Sequence, residues 1–185
     1  HTLWVGTYYN GLAALDTRTN QCRFLPQLAG QRIKSMVEDS RKNLYISVFG
    51  VGLKGYNLST GKVWELASAA PETRGLMKNR WINVLLCDSK DLIWIGNYKG
   101  ISCYDARNDR YIKIQGDSVM DSHVCYSLLE DRNGDIWMGT NNGLYTWSRE
   151  QETFRRFSTE DGLSNNVICG LAEDKDGNIW CSTFR

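Results

Sequence analysis

Histidine is nearly missing from this chain: His1 and His123 are the only two in 185 residues. A histidine-based metal centre or acid–base site has almost no material to draw on. Excess charge of either sign is missing as well. The 22 Lys and Arg stand against 21 Asp and Glu, for a formal charge of +1. A nucleic-acid binder needs clustered positive charge to neutralise phosphates, and this balance argues against one. No stretch approaches the roughly eighteen consecutive apolar residues of a membrane-spanning helix. The start shows no charged, apolar and small-residue signal segment. His1 stands where an initiator Met would, which fits a piece cut from a larger protein.

Several chemical signatures are absent too. Cys22, Cys87, Cys103, Cys125, Cys169 and Cys181 include no C-x-x-C pair, so zinc and thioredoxin-type readings lack support. Most lie in apolar runs such as NVLLCD and NIWCST, and buried thiols acting as small hydrophobes are expected. Neither a Gly-x-Ser-x-Gly elbow nor a P-loop occurs. The strings DRNGD and DKDGN resemble calcium loops. Their glycine falls at the fourth place rather than the sixth, so hairpin turns are expected instead. Glu130-Asp131 and Glu173-Asp174 are adjacent on a strand and face opposite ways, unsuited to shared acid–base work. No catalytic residue, metal site or cofactor is predicted.

What the chain has in quantity is aromatic residues, with seven Trp and nine Tyr, and they recur in order. One pentapeptide appears five times: LWVGT from Leu3, LYISV from Leu44, IWIGN from Ile93, IWMGT from Ile136 and IWCST from Ile179. Its aromatic residues Trp4, Tyr45, Trp94, Trp137 and Trp180 are spaced by 41, 49, 43 and 43 residues. Behind four copies comes GLAALD, GLKGYN, GISCYD or GLYTWS. Ahead of four stands an apolar run ending at Asp39, Asp88, Asp131 or Asp174. A weaker fourth element follows at Cys22, Lys62, Arg110 and Thr153. A fixed period of this kind signals a repeat architecture.

Each element is short, rich in β-branched and aromatic residues and bounded by turn formers, and so reads as a strand. Asn133-Gly134 and Asp176-Gly177 suit tight primed turns between the first and second strands. Ile136 and Trp137 point to opposite faces, yet both are large and apolar, so both faces of the sheet must be covered. Gly6, Gly96 and Gly139 leave room for a neighbour to approach closely. Four antiparallel strands in about 43 residues is the unit of a β-propeller blade. The expected organisation is a partial blade over 1–30, blades over 31–76, 77–117 and 118–160, and a partial blade over 161–185, all one all-β propeller. Three whole blades make no closed ring, so missing blades or a partner chain are expected to cover the ends.

The last third carries a family resemblance. FSTEDGLSNNVICGLAEDKDGNIWCST, from Phe157 to Thr183, resembles the two-component regulator propeller repeat. Val124–Trp147 matches almost as well, lacking only the DGL lead-in. Asp39 and Asp88 head degraded versions, with Arg41-Lys42-Asn43 and Lys90-Asp91 in place of the glycine turn. The resemblance implies a periplasmic sensor segment of a membrane-anchored hybrid two-component histidine kinase responding to oligosaccharides. It implies no enzymatic activity in this segment. The expected partners are an oligosaccharide and the remaining blades or a second copy, as a homodimer in the full-length form. A membrane contact would come only through parts outside this segment. A protein-interaction scaffold and a polysaccharide-active enzyme such as a lyase are the alternatives.

In a propeller the loops joining second to third strands and fourth to first strands share one end, around the channel, where ligands usually bind. The sequence places Tyr8, Tyr9, Asn10, Phe49, Tyr98, Lys99, Asn141 and Asn142 at the first kind of loop. Arg32, Arg80, Trp81, His123, Asn165 and Asn166 stand at the second. Aromatic planes beside amides and Arg suit sugars. Asn141 and Asn142 read equally as turn residues, and Trp81 as core. The 49-residue spacing locates an insertion over 67–80, whose Arg74, Lys78 and Arg80 would suit an anionic saccharide.

Overall fold

The computed structural model describes residues 2–66 and 80–184. β1 (Thr2–Gly6), β2 (Leu12–Asp16) and β3 (Gln21–Phe24) make a three-stranded sheet. β4 (Ile33–Glu38), β5 (Asn43–Val48), β6 (Gly52–Asn57) and β7 (Val63–Glu65) make the second sheet. β8 (Ile82–Cys87), β9 (Leu92–Asn97), β10 (Gly100–Asp105) and β11 (Arg110–Ile112) make the third. β12 (Cys125–Glu130), β13 (Ile136–Thr140), β14 (Gly143–Ser148) and β15 (Thr153–Phe157) make the fourth, and β16 (Ile168–Glu173) pairs with β17 (Ile179–Thr183). Within each sheet the strands follow in sequence order and every pairing is antiparallel. The chain is a series of propeller blades, as its repeat predicts.

Successive sheets stack, and the pleat explains how. In β5, Leu44, Ile46 and Val48 enter a core shared with Leu12, Leu25 and Leu28 of the first blade. The alternate residue Tyr45 enters the next core, with Ile82, Leu85, Ile93 and Ile95 of the third sheet. In β9 the same division recurs: Ile93 and Ile95 face backwards, while Trp94 faces forwards onto Met138, Tyr145 and Trp147. A two-residue period therefore buries both faces of an inner blade. Each fully buried Ile or Leu contributes about 1.5–3 kcal/mol of transfer free energy. The first strands β4, β8, β12 and β16 touch one another in succession, so they converge while the outer strands fan out. Trp94, Trp137 and Trp180 lie in three separate sheets, as a radial arrangement requires. Trp94 is fully buried, whereas Trp180 stays 64% exposed on a sheet of two strands.

The expected room at the repeat glycines is used. An alanine Cβ at Gly6 would lie 2.5 Å from Ile33 Cγ2, and one at Gly96 only 2.7 Å from Cys125 Sγ. At Gly139 it would lie 2.9 Å from Ile168 Cγ2. In each case the residue that fills the space is the entry residue of the next blade's first strand. Ser47 holds the equivalent place in the second sheet and donates to the carbonyl of Ile82 at 3.2 Å.

Two expectations need correction. The type I′ turn that Asn-Gly and Asp-Gly favour requires positive φ at both central residues, and here only one residue of the Asp turn is left-handed. Asp131 pairs across to Asp135 by backbone hydrogen bond, with Gly134 at φ 85°, which is a longer loop with a single left-handed position. Lys42 at φ 65° and Asp91 at φ 61° occupy that position in the blades without glycine. The cysteines are not uniformly buried either. Cys103 and Cys125 are, but Cys87 and Cys181 are half-buried, Cys22 and Cys169 are exposed, and all six are free thiols. Cys22 sits on the outermost strand of its sheet, and Cys169 falls at a point where its strand is distorted.

Candidate functional site

Each blade has two ends, and the end carrying the Asp turns is consumed by structure. Asp88 accepts from the backbone N–H of Lys90 and Leu92, from Trp94 Nε1 at 2.9 Å and from the Arg149 guanidinium at 2.8 Å. Asp131 repeats this with Asn133, Asp135 and Trp137 Nε1 at 2.8 Å. Asp174 does so with Asp176, Asn178 and Trp180 Nε1 at 2.8 Å, and these bonds hold its carboxyl well below the usual range. In the second blade, where Tyr45 replaces Trp, the hydroxyl reaches Asp39 only at 3.4 Å. Asp88 and Asp174 thus accept four hydrogen bonds each and Asp131 three, so these carboxylates act as struts that hold the turn and the indole together.

The residue after each Asp is clasped by the next blade. Ser89 gives its N–H and Oγ to Glu130, both at 2.7 Å, and Arg132 gives its N–H and Nε to Glu173 at 3.0 and 2.5 Å. In the third blade Cys87 takes the place of that Glu. There Asp91 serves instead, accepting the N–H of Ser40 at 3.0 Å and its hydroxyl at 2.6 Å. Sequence reasoning placed these carboxylates at the ends of first strands and in the hairpin turns that follow, and missed both the indole strut and the clasp. The regular six-residue step from Asp to Trp was the available signal.

At the opposite end the two kinds of loop meet. The N–H of Phe49 donates to the carbonyl of Arg32, Tyr98 to Trp81 and Asn141 to Val124, so each blade ties its own two loops together. Neighbouring blades are tied as well, Ile33 donating to Thr7, Gly100 to His123 and Gly143 to Asn166. The aromatic residues form two groups on this scaffold. Tyr8 and Tyr9 meet edge to face at 4.9 Å, with the Arg32 guanidinium 5.3 Å from the Tyr8 ring. Phe49 of the second blade stacks on Trp81 of the third at 5.9 Å and 25°, and Tyr98 meets Trp81 edge-on at 5.7 Å. Tyr8, Tyr9, Trp81 and Tyr98 are 48, 72, 51 and 38% exposed, so Trp81 is not core. Arg80 lies beside Gly52 at the mouth of the second blade, and Asn10 and Lys99 are exposed turn residues. Arg74 and Lys78 lie outside the described residues.

The Asn residues and His123 form a third group. Asn141 Oδ1 accepts the N–H of Val124 at 2.9 Å. Asn142 Oδ1 accepts from Arg156 at 3.0 Å, which fixes its amide so that Nδ2 points to His123 Nε2 at 2.8 Å. His123 Nε2 is then the acceptor and Nδ1 carries the proton, 3.2 Å from Tyr145 Oη. Burial, with the Arg156 charge, holds the His123 pKa below its ordinary value. Asn165 Oδ1 accepts the N–H of Val167, and Asn166 Oδ1 that of Thr159, so both are loop braces. Among the described residues no cluster of His, Cys, Asp or Glu could hold a metal ion, and no helix is long and apolar enough to cross a membrane.

Comparison with known proteins places these features in context. Residues 118–142 and 162–185 match the two component regulator propeller family model. The fold superposes on the extracellular domain of the putative one component system BT4673 from B. thetaiotaomicron, with a TM-score of 0.79 and 25% identity. That match covers 98% of this chain and 25% of the other. The extracellular domain of the putative hybrid two component system BT3049 from the same organism gives 0.78 and 23%, over 98% of this chain and 24% of its own. The designed protein Ika8 shares the fold at a TM-score of 0.67 and 13% identity, over 99% of this chain and 55% of its own. The chain thus spans about a quarter of the length of the two B. thetaiotaomicron domains. No curated protein matches it by sequence.

Proposed function

We propose that this chain, which carries two-component regulator propeller repeats, is part of the extracytoplasmic sensor of a membrane-anchored two-component regulator, and that its loop end takes an oligosaccharide. The observation that carries the ligand is the row Phe49–Trp81–Tyr98, half-exposed and built across the junction of two blades. Exposed aromatic faces stack on the CH face of a pyranose, while neighbouring guanidinium groups donate hydrogen bonds to its hydroxyl oxygens and amides both donate to and accept from its hydroxyls. Tyr8, Tyr9 and Arg32 offer a second such platform on the preceding junction. The extracytoplasmic placement is supported by the similarity to extracellular domains of such systems.

The carboxylates that recur with the repeat, Asp88, Asp131 and Glu130 among them, are tied into struts and clasps at the other end, away from the aromatic row, which favours binding over turnover at that row. A ligand bridging Phe49 and Trp81 would touch two blades at once and bias their packing, which is the physical requirement for a relayed signal. Glycan-array screening followed by calorimetry of Trp81→Ala tests the reading. Binding without product release, weakened about tenfold or more in the variant, supports it. Release of shortened glycan, or undiminished affinity in the variant, overturns it.

A further inference from the structure

The first strands share one irregularity. Pairing with the second strand slips between Ile33 and Ser35, between Ile82 and Val84, between Cys125 and Ser127, and between Ile168 and Gly170. The residues left over are Lys34, Asn83, Tyr126 and Cys169, one per blade at the same register. A bulge releases its extra residue from the ladder and re-aims the side chain. All four, with Val167 and Phe184, line a single cavity of about 350 Å³. It lies where the adjoining strands β4, β8, β12 and β16 converge, and its size suits a small ligand.

The lining has a definite chemistry. Lys34 brings an exposed ammonium, and among the described residues that line the cavity none is a carboxylate that would neutralise it. Asn83 is anchored by donating Nδ2 to the carbonyl of Cys125 at 3.2 Å, which leaves its Oδ1 to accept. Tyr126, 39% exposed, offers a phenol and a ring face, and Val167 and Phe184 supply apolar wall. One cation, one acceptor, one hydroxyl and an apolar face complement a compact molecule with a carboxylate, hydroxyls and a CH face. We propose that this cavity binds a small hydroxylated monocarboxylate of the sugar-acid type. It uses none of the residues of the aromatic row and goes beyond the reading of that row.

Calorimetric titration of the intact protein with D-glucuronate, against D-glucose as the neutral counterpart, tests the charge requirement. Glucuronate should bind, glucose roughly tenfold or more weakly, and Lys34→Gln should abolish the difference while Trp81→Ala preserves it. A second measurement is independent of heat signals. Glucuronate should slow iodoacetamide labelling of Cys169, read by peptide mass spectrometry, and leave the exposed Cys22 unaffected. Absence of glucuronate binding, equal affinity for the two sugars, indifference to Lys34→Gln, or no protection of Cys169 would each overturn the site. Loss of glucuronate binding in Trp81→Ala alone would move the anion to the loop row and overturn it equally.

Discussion

A single missing methyl group decides how closely two blades approach. At Gly96 a Cβ would stand 2.6 Å from Val84 Cγ1 and 2.7 Å from Cys125 Sγ, the first in its own sheet and the second in the next. Gly96→Ala should therefore cost about 1–3 kcal/mol, the usual range for an overpacked core. Thermal unfolding should show a lowered midpoint, and Gly96→Ala with Cys125→Ala should recover part of it, because the truncation vacates the contested space. Full recovery is not expected, since Val84 still crowds the new methyl. The thiols divide along the same line of packing. Burial pushes Cys125 up to about 12, and burial followed by the nearby Asp91 and Asp88 charges pushes Cys87 up to about 12. Thiolate is the reacting species, so iodoacetamide at neutral pH should label exposed Cys22 and Cys169 first and leave Cys103 and Cys125 untouched in the folded protein. Mass spectrometry of the labelled peptides reads the order directly.

The strands themselves were written plainly in the chain. Their two-residue alternation, the recurring aromatic pentapeptide and the glycine at its fourth place translate directly into pleat, blade and inter-blade contact. The clasp between blades was not legible, and the reason is distance. Ser40 and Asp91 are 51 residues apart, Ser89 and Glu130 are 41 apart, and no local pattern links them. Its carboxylate also changes position, from Glu130 and Glu173 before the Asp to Asp91 after it, once Cys87 takes the usual place. The clasp titrates. Hydrogen bonds from Ser40 hold the Asp91 pKa below its ordinary value of 3.8. A depressed carboxylate contributes stability above its unfolded pKa and loses it as pH falls through the folded value. Acid unfolding monitored by tryptophan fluorescence should accordingly be less steep below pH 3.8 in Asp91→Asn than in the parent, because the variant has no proton to take up there. At neutral pH the same variant should already be the less stable of the two. Curves of identical steepness in acid would mean that the clasp carries no linkage.

For the molecule as a whole, the two blade ends divide the labour between cohesion and exposure, and sequence reasoning singled out the aromatic residues of the loops but not the bulge residues of the first strands. Aromatic residues in turns announce themselves by type, whereas Lys34, Asn83, Tyr126 and Cys169 share no chemistry and are united only by a bulge that composition does not encode. His123 links the two concerns, because it sits in the loop end and also bridges blades. Its carbonyl accepts the N–H of Gly100 in the third sheet, and its ring engages Asn142 and Tyr145 in the fourth. The neutral ring fits, with Nε2 accepting from the Asn142 amide. A proton on Nε2 would set two donors against each other, and relief by an amide flip would break the Asn142–Arg156 bond. Because the folded pKa lies below the ordinary 6.5, the unfolded chain takes up the proton first as pH falls. Stability is then complete above 6.5 and declines as pH drops from there towards the depressed folded value. Thermal midpoints measured between neutral and mildly acidic pH should fall in the parent, and His123→Asn should remove that part of the slope while leaving the Asp91 transition in stronger acid. If the parent and His123→Asn give parallel midpoint curves across that interval, the histidine junction has no part in holding the loop end together.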